Sequence, residues 1–291
     1  DLSNRKQHGA LLDAELLADV YLELNGGKQI SMNLLTKEGK EKKVEKKNIN
    51  NPLTQEGIKE LEELFEIKSE VISSLILEPL VQCASGMGIY NKLYLKEARR
   101  LCNEYNIHLI ADEIAVGFGR TGKLFAHQHT NIKPDFLCLS KGLTGGYLPL
   151  SVSLTKKHIF KAFYHNEKER GFLHCHSYTG NPLACSAALG TLSIFKNKDV
   201  LGDNKKKAKK INTLFENHKN LPIHNFRNLG MIWAFELDNQ VDIEKVIQSF
   251  LKQGVFIRPI NRTFYFMPPY SINSCLLYTS PSPRDQRGSG L

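Results

Sequence analysis

No apolar run in this 291-residue sequence reaches the ~18 residues that a membrane-spanning helix needs. The amino end lacks the basic-then-apolar pattern of a secretory signal, so a cytoplasmic location is expected. Six cysteines, at 83, 102, 138, 175, 185 and 275, include no C-x-x-C pair. That spacing argues against a zinc site or a disulfide framework, and no metal is expected. Cys102 and Cys138 fall in apolar patterns and read as small core residues. A basic groove interleaved with aromatics is also missing. The formal net charge is +9, but much of the excess sits in KEGKEKKVEKK (37–47) and KKKAKK (205–210). The first run reads as a solvated, flexible segment and the second as the exposed face of a helix. Neither nucleic acid nor a membrane is expected as a partner.

What is present suits one large or two medium globular domains, with 41% hydrophobic and 24% charged residues. Residues 1–32 form a helical stretch stopped by Gly26-Gly27. Residues 33–56 are polar, rich in Lys and Asn and without a period, which marks a linker. From 57 to about 200, strands and helices alternate. VISSLILEPL (71–80) reads as a buried strand, IHLIADE (107–113), FLCLS (136–140) and LPLSVSL (148–154) as further strands. Between them NKLYLKEARRLCNEYN (91–106) places Ala98, Leu101, Cys102 and Tyr105 on one helical face. PLACSAALGTLSIF (182–195) is a helix opened by proline. Such alternation predicts an α/β fold, a largely parallel sheet covered by helices. A smaller unit follows over 201–273: a basic helix, the strand MIWAFEL (231–237), a helix near 242–253, then VFIRPI and TFYFMPPY. Residues 274–291 abandon any period, turn Ser/Pro/Arg-rich, and read as a disordered, foreign tail.

Within the alternating region two charges stand at strand ends. Asp112 closes HLIAD, and Lys141 follows FLCLS 29 residues later. In open parallel sheets ligands gather at the carboxyl ends of strands. A lysine and an acid placed there suit pyridoxal phosphate, which takes a lysine amine as its Schiff base. The cofactor also needs a carboxylate to keep its pyridine nitrogen protonated. On the residues alone the alternatives stay open: Lys141 also reads as a surface lysine and Asp112 as a strand-end cap.

Three segments, ADEIAVGFGRTGKLFA (111–126), PDFLCLSKGLTGG (134–146) and SYTGNPLACSAAL (177–189), occur in one order. Together they resemble the class III, pyridoxal-phosphate-dependent aminotransferases of fold type I, over about residues 57–273. That resemblance implies the large domain of the fold over 57–200 and a smaller C-terminal α/β domain over 201–273. It makes Lys141 the Schiff-base lysine and Asp112 the partner of the pyridinium nitrogen. Ser177, where the family often has threonine, would donate to the cofactor phosphate beside the backbone of His176, across a homodimer interface. Arg258 would clamp the carboxylate of the keto-acid substrate, a task for which an arginine ending an apolar strand is well shaped. Cys175 and Tyr265 would line the substrate site, although Tyr265 reads equally as a core tyrosine, and Glu78 would be structural support. Ala115 stands where the ornithine and 4-aminobutyrate relatives usually carry glutamine. With GNPLACSAAL (180–189) and FIRPINRTFYFMPPY (256–270), it resembles the branch that aminates 8-amino-7-oxononanoate to 7,8-diaminononanoate in biotin biosynthesis. The usual donor there is S-adenosylmethionine. The implied chemistry is a ping-pong transamination, with the freed lysine moving the proton.

The family's N-terminal half supplies a Gly-Ser turn for the phosphate and an aromatic on the pyridine ring, and residues 1–56 contain neither motif. An incomplete and inactive chain is therefore expected. NRKQHGALLDAELLADVYLELNGGKQISM (4–32) instead resembles the last helical motif of the proofreading exonuclease subunit of bacterial DNA polymerase III. His8 and Asp13 match its H-x(4)-D spacing, a general-base histidine and a metal-binding aspartate. The other acidic ligands of that site are missing, so the metal expectation applies only to a complete exonuclease. The sequence thus reads as two unrelated fragments joined within 33–56. An aminotransferase is the first reading, a nuclease fragment the second, and a non-catalytic dimerising member of the fold the third.

Overall fold

A computed structural model describes residues 55–164, 166–172, 175–217 and 222–273. The expectations for 1–32, for most of the 33–56 linker and for 274–291 lie outside the described residues, His8 and Asp13 among them.

Helix α1 (Gln55–Lys68) leads into strand β1 (Ser74–Leu77), followed by two short strands, β2 (Val81–Gln82) and β3 (Gly88–Ile89). Helix α2 (Lys92–Glu104) starts where the Asn91 side chain accepts the Leu93 N–H, satisfying one of the free amides of the first turn. Its inner face, Leu95, Ala98, Leu101 and Cys102, is fully buried, as the spacing predicts, while Tyr105 beyond its end is half-buried. Next come β4 (His108–Asp112), β5 (Phe136–Leu139) and β6 (Val152–Thr155).

These strands form one sheet in the order β1-β4-β5-β6. β1, β4 and β5 run parallel, with Leu75 opposite Leu109 and Ile110 opposite Phe136. β6 returns antiparallel, Val152 facing Leu139, so the sheet is mixed. The stretch 71–80 is not a buried strand. Only four of its residues pair, and Ile76 is 61% exposed, because β1 borders the described sheet on one side only. Likewise 148–154 contributes only its end, β6 beginning at Val152, and Cys138 is half-buried rather than core.

Asp135, just before β5, ties three elements together. Its carboxylate takes Arg99 Nη1 from α2 at 2.6 Å, Lys156 Nζ at 2.6 Å, and the Leu109 N–H of β4 at 2.8 Å. Burial alone would raise this carboxyl, but Arg99, Lys156 and the amide overcome it and pull it down to about 2. A depressed carboxyl adds stability above its unfolded value, about 3.9, and loses it as pH falls. The expected result is that the native chain loses this contribution between about pH 4 and pH 2. Asp135→Ala should strand the buried Arg99 and cost about 3–5 kcal/mol at neutral pH, with a flatter acid limb in denaturant titrations.

After helix α3 (Lys157–Phe163), helix α4 (Pro182–Asn197) is capped by Asn181, whose side chain accepts from Leu183 and Ala184 N–H. Only Ala184 and Ala188 of α4 are buried, and Leu183 and Leu189 face outward. Helix α5 (Val200–Asn217) is followed by an antiparallel sheet of β7 (Ile223–Leu229), β8 (Ile232–Leu237) and β9 (Thr263–Phe266), with α6 (Ile243–Lys252) between β8 and β9. Trp233 is wholly buried against Met231 and Ile211, its Nε1 donating to Asn212 of α5 at 2.6 Å. Buried Arg227 of β7 donates to the carbonyls of Gly86 and Met87 and so ties this sheet to the turn before β3. The run VFIRPI does not make a strand. Residues 255–259 are irregular, since Pro259 carries no N–H and the Ile260–Thr263 bridge turns the chain back into β9.

Candidate active site at the strand ends

Strand β5 delivers Lys141 as the first residue of a one-turn 3-10 segment, Lys141–Thr144. The turn is fixed from both sides: Ser140 Oγ donates to the Leu150 carbonyl at 2.7 Å, and Thr144 Oγ1 to the Leu148 carbonyl at 2.6 Å. Lys141 has φ 40°, a left-handed conformation uncommon for a lysine. Backbone strain of this kind persists where the surroundings over-determine it, often at functional sites. Its amine has no hydrogen bond or ion pair among the described residues, and it lines a cavity of about 1360 Å³.

On the adjacent strand Asp112 is half-buried, its backbone in register with Cys138. Asp112 Oδ1 accepts the Ile114 N–H at 3.0 Å, and the other oxygen has no hydrogen-bond partner among the described residues. Asp112 and Lys141 do not pair with each other. Two further groups feel both. Burial raises the Glu78 carboxyl, the Asp112 charge adds to the rise, and Lys141 opposes it. Glu78 Oε2 accepts the Cys83 N–H at 2.8 Å and its carbonyl accepts the Tyr90 hydroxyl. The Cys83 thiol is pushed up to about 12 by burial and by Glu78, Lys141 again opposing. Cys83 is thus a neutral thiol in the cavity wall.

The segment 113–122 shapes that wall. Glu113 is fully buried, accepting the Ala126 and His127 N–H groups, with His127 Nδ1 2.7 Å from Oε1. Arg120 lies over the Tyr270 ring, 4.6 Å from its centroid, and donates to the Pro268 carbonyl at 2.6 Å. Tyr270 donates its hydroxyl to the Phe118 carbonyl, and burial pushes that phenol up to about 12. Arg120 and Tyr270 both line the cavity, as do Asn204 and Lys207 of α5. Close packing requires glycine at two positions of this segment: a Cβ on Gly117 would lie 2.8 Å from the Glu113 carbonyl oxygen, and one on Gly119 2.8 Å from Leu201.

The expected residues divide. Lys141 and Tyr265 line the same cavity, Tyr265 half-buried against the main core; Asp112 does not line it but stands two positions before Ile114, which does. Cys175, His176 and Ser177 lie instead in an exposed loop outside the cavity, where His176 Nδ1 accepts the Tyr178 N–H and Thr179 Oγ1 the His176 N–H. Arg258 is exposed, ends no strand and does not line the cavity. Residues that reading the sequence missed are Arg120, Asn204, Lys207 and Tyr270. Arg120, Lys207 and Tyr270 stood in quoted stretches without a role assigned to them, and Asn204 stood in none.

The donor set fits the two reactive ends of pyridoxal phosphate. Lys141 offers an unpaired amine and Asp112 an unpaired carboxylate oxygen, on neighbouring strand ends with no ion pair closing the gap. The phosphate donors expected from Ser177 and His176 are not at the cavity.

Comparison with known proteins gives a consistent result. The description "Aminotransferase class-III" matches residues 31–279, a span that begins upstream of residue 57 and takes in the lysine-rich stretch. The chain is 46% identical over 241 residues to the adenosylmethionine-8-amino-7-oxononanoate aminotransferase of Helicobacter pylori, covering 78% of this chain and 55% of that protein. The protein of the same name from Buchnera aphidicola (Schizaphis graminum) is 39% identical, with 75% and 51% covered. The crystal structure of that enzyme from Methanocaldococcus jannaschii superposes with a TM-score of 0.71 at 35% identity, over 77% of this chain and 55% of that one. A Bacillus anthracis aminotransferase gives 0.72 at 29% identity, over 76% and 53%. The chain spans about half the length of these relatives. His8 and Asp13 precede the matched span, and the nuclease reading gains no support from these likenesses.

Proposed function

We propose, for a chain that belongs to the class-III aminotransferases, that it carries the lysine-bearing part of an enzyme transferring an amino group to 8-amino-7-oxononanoate. The observation that carries this reading is the unpaired Lys141 beside the unpaired oxygen of Asp112 at adjacent strand ends. Class-III aminotransferases are pyridoxal-phosphate-dependent. When bound, that cofactor supplies the carbonyl that takes up the amino group and a ring that accommodates the electron pair left when a C–H bond breaks. Asp112 would hold a proton on the ring nitrogen. Lys141 Nζ would tether the cofactor, then as a free amine take the proton from the carbon that bears the substrate nitrogen and deliver it to the carbon on the other side of that nitrogen. Ser177, beside the His176 backbone, would serve the phosphate from a second copy, which would also cover the outward Leu183 and Leu189 of α4. Cys175 and Tyr265 would border the substrate, and S-adenosylmethionine would be the donor, by analogy with the relatives' names. The pathway would be biotin biosynthesis.

The test is amino transfer itself, read by mass spectrometry as 7,8-diaminononanoate formed from 8-amino-7-oxononanoate and S-adenosylmethionine with pyridoxal phosphate added. Because this chain alone is expected to be inactive, the reading is overturned if a cofactor-loaded protein that joins it to the half its relatives add makes no product with any amino donor. Arg258 would grip the keto-acid carboxylate. Arg258→Ala is then expected to raise KM for 8-amino-7-oxononanoate about ten- to hundredfold, the weight of one or two charged hydrogen bonds, and to leave donor KM nearly unchanged. Equal effects on both would remove Arg258 from that role.

A further inference from the structure

The cavity has a second end that the amino-transfer chemistry leaves unused. Its volume, about 1360 Å³, exceeds the ~300–1,000 Å³ typical of a small-molecule site, so it can hold more than one group. At the α5 end stands Asn204, 3% exposed, with no hydrogen-bond partner for Nδ2 or for Oδ1. Buried amides without partners are rare, because each lost hydrogen bond leaves its desolvation cost uncompensated. Here both halves of one carboxamide are unmet, and the residue lines the cavity.

The chemistry of the missing partner follows. A bare carboxylate would satisfy Nδ2 and leave Oδ1 facing negative charge, so it matches only half of the carboxamide. The complement must present a donor and an acceptor side by side. The walls of this end include two aromatics, Tyr270, which Arg120 covers, and Phe195, together with Lys198, Asp203 and Lys207. Leu201, one helical turn before Asn204, approaches the same point as Phe195 and the Tyr270 hydroxyl, for all three lie within 4 Å of where a Cβ would stand on Gly119. The nearby cation Lys207 is engaged by the Tyr270 carbonyl. A flat, uncharged ring with an amino group beside a ring nitrogen fits this frame. An asparagine carboxamide pairs with adenine in that way, accepting from N6 and donating to N7.

We propose that Asn204 forms an aminopurine subsite at the α5 end of the cavity, which reads the adenine of an adenosyl amino donor while its reacting end lies toward Lys141. This deepens the reading of S-adenosylmethionine as donor and rests on it. The test uses adenosine, which carries no transferable alkylamine and needs no cofactor, with binding measured by calorimetry on the full chain. The unaltered chain should bind adenosine and bind inosine, whose 6-oxo group replaces the donor, about ten- to hundredfold more weakly, as one lost neutral hydrogen bond and a buried Oδ1 left facing an acceptor imply. Asn204→Leu should weaken adenosine by a similar factor and abolish the preference over inosine, with pyridoxal phosphate uptake unchanged as the check on folding. Equal affinity for the two nucleosides in the unaltered chain, or no binding of adenosine, overturns the subsite even if Asn204→Leu fails to fold. The outcomes separate the two ideas. Amino transfer from S-adenosylmethionine without adenosine selectivity removes the subsite alone. Selective adenosine binding by the chain, with no amino transfer by the protein that carries both halves, removes the catalytic reading alone.

Discussion

Borohydride reduction of the chain incubated with pyridoxal phosphate should fix the cofactor on one tryptic peptide, the one containing Lys141, and Lys141→Ala should abolish that adduct. The chain has 29 lysines, so selectivity is the informative part. Lys156 is held by Asp135 and Lys207 by the Tyr270 carbonyl. Lys141 combines an unpaired amine, a place in the cavity wall and a backbone strained to present it. Amino transfer should fall by at least about 10²–10⁴-fold in Lys141→Ala from the proton-moving role alone. Labelling spread evenly over the exposed lysines of α5, with Lys141 no richer than the rest, would take the catalytic role away from it.

Much of that site was legible because its two charges interrupt apolar strands. A strand that ends in Asp112 and a neighbour that ends in Lys141 are visible at once from the period of the sequence, and the parallel order of β4 and β5 brings the ends together. The amphipathic α2 was legible for the same reason. What stayed hidden depends on long-range packing. VISSLILEPL has the composition of a buried strand, yet burial depends on neighbours, and β1 has one described neighbour only. Arg258 sits in an apolar run that looks like a strand, but Pro259 and the turn into β9 keep it out of the ladder. Asn204 lies at the start of a lysine-rich helix that reads as solvated. Lys205, Lys206 and Lys209 do face outward, whereas Asn204 and Ile211 point in: Asn204 is the polar member of the face Leu201, Ala208, Ile211 and Phe215, which the lysines around it mask.

Gly230, at the hairpin between β7 and β8, carries the second large expected effect. It has φ +60°, and a Cβ placed there would come within 2.5 Å of the Arg120 carbonyl oxygen, 2.5 Å of the Thr121 carbonyl carbon and 2.6 Å of the Gly122 nitrogen. All three are backbone atoms, so no rotamer relieves the clash. The two loops are also joined by the Met231 N–H, which donates to the Arg120 carbonyl at 2.8 Å. Gly230→Ala must push the 120–122 turn away, breaking that bond and moving Arg120 off Tyr270. Left-handed strain contributes about 1–2 kcal/mol and overpacking about 1–3 kcal/mol. Together they should lower stability by roughly 2–5 kcal/mol, or about 4–20 °C in Tm at the ~2–4 °C per kcal/mol of a chain this size. Gly254 separates the two causes. It has φ +75° but nothing within 4 Å of its Cβ position, so Gly254→Ala bears the conformational strain alone and should lower Tm by less than half as much. Equal losses in the two variants would mean that backbone strain, not the contact with the 120–122 turn, makes glycine necessary at 230. Adenosine affinity should fall in Gly230→Ala and hold in Gly254→Ala, because only the first moves the arginine that covers Tyr270.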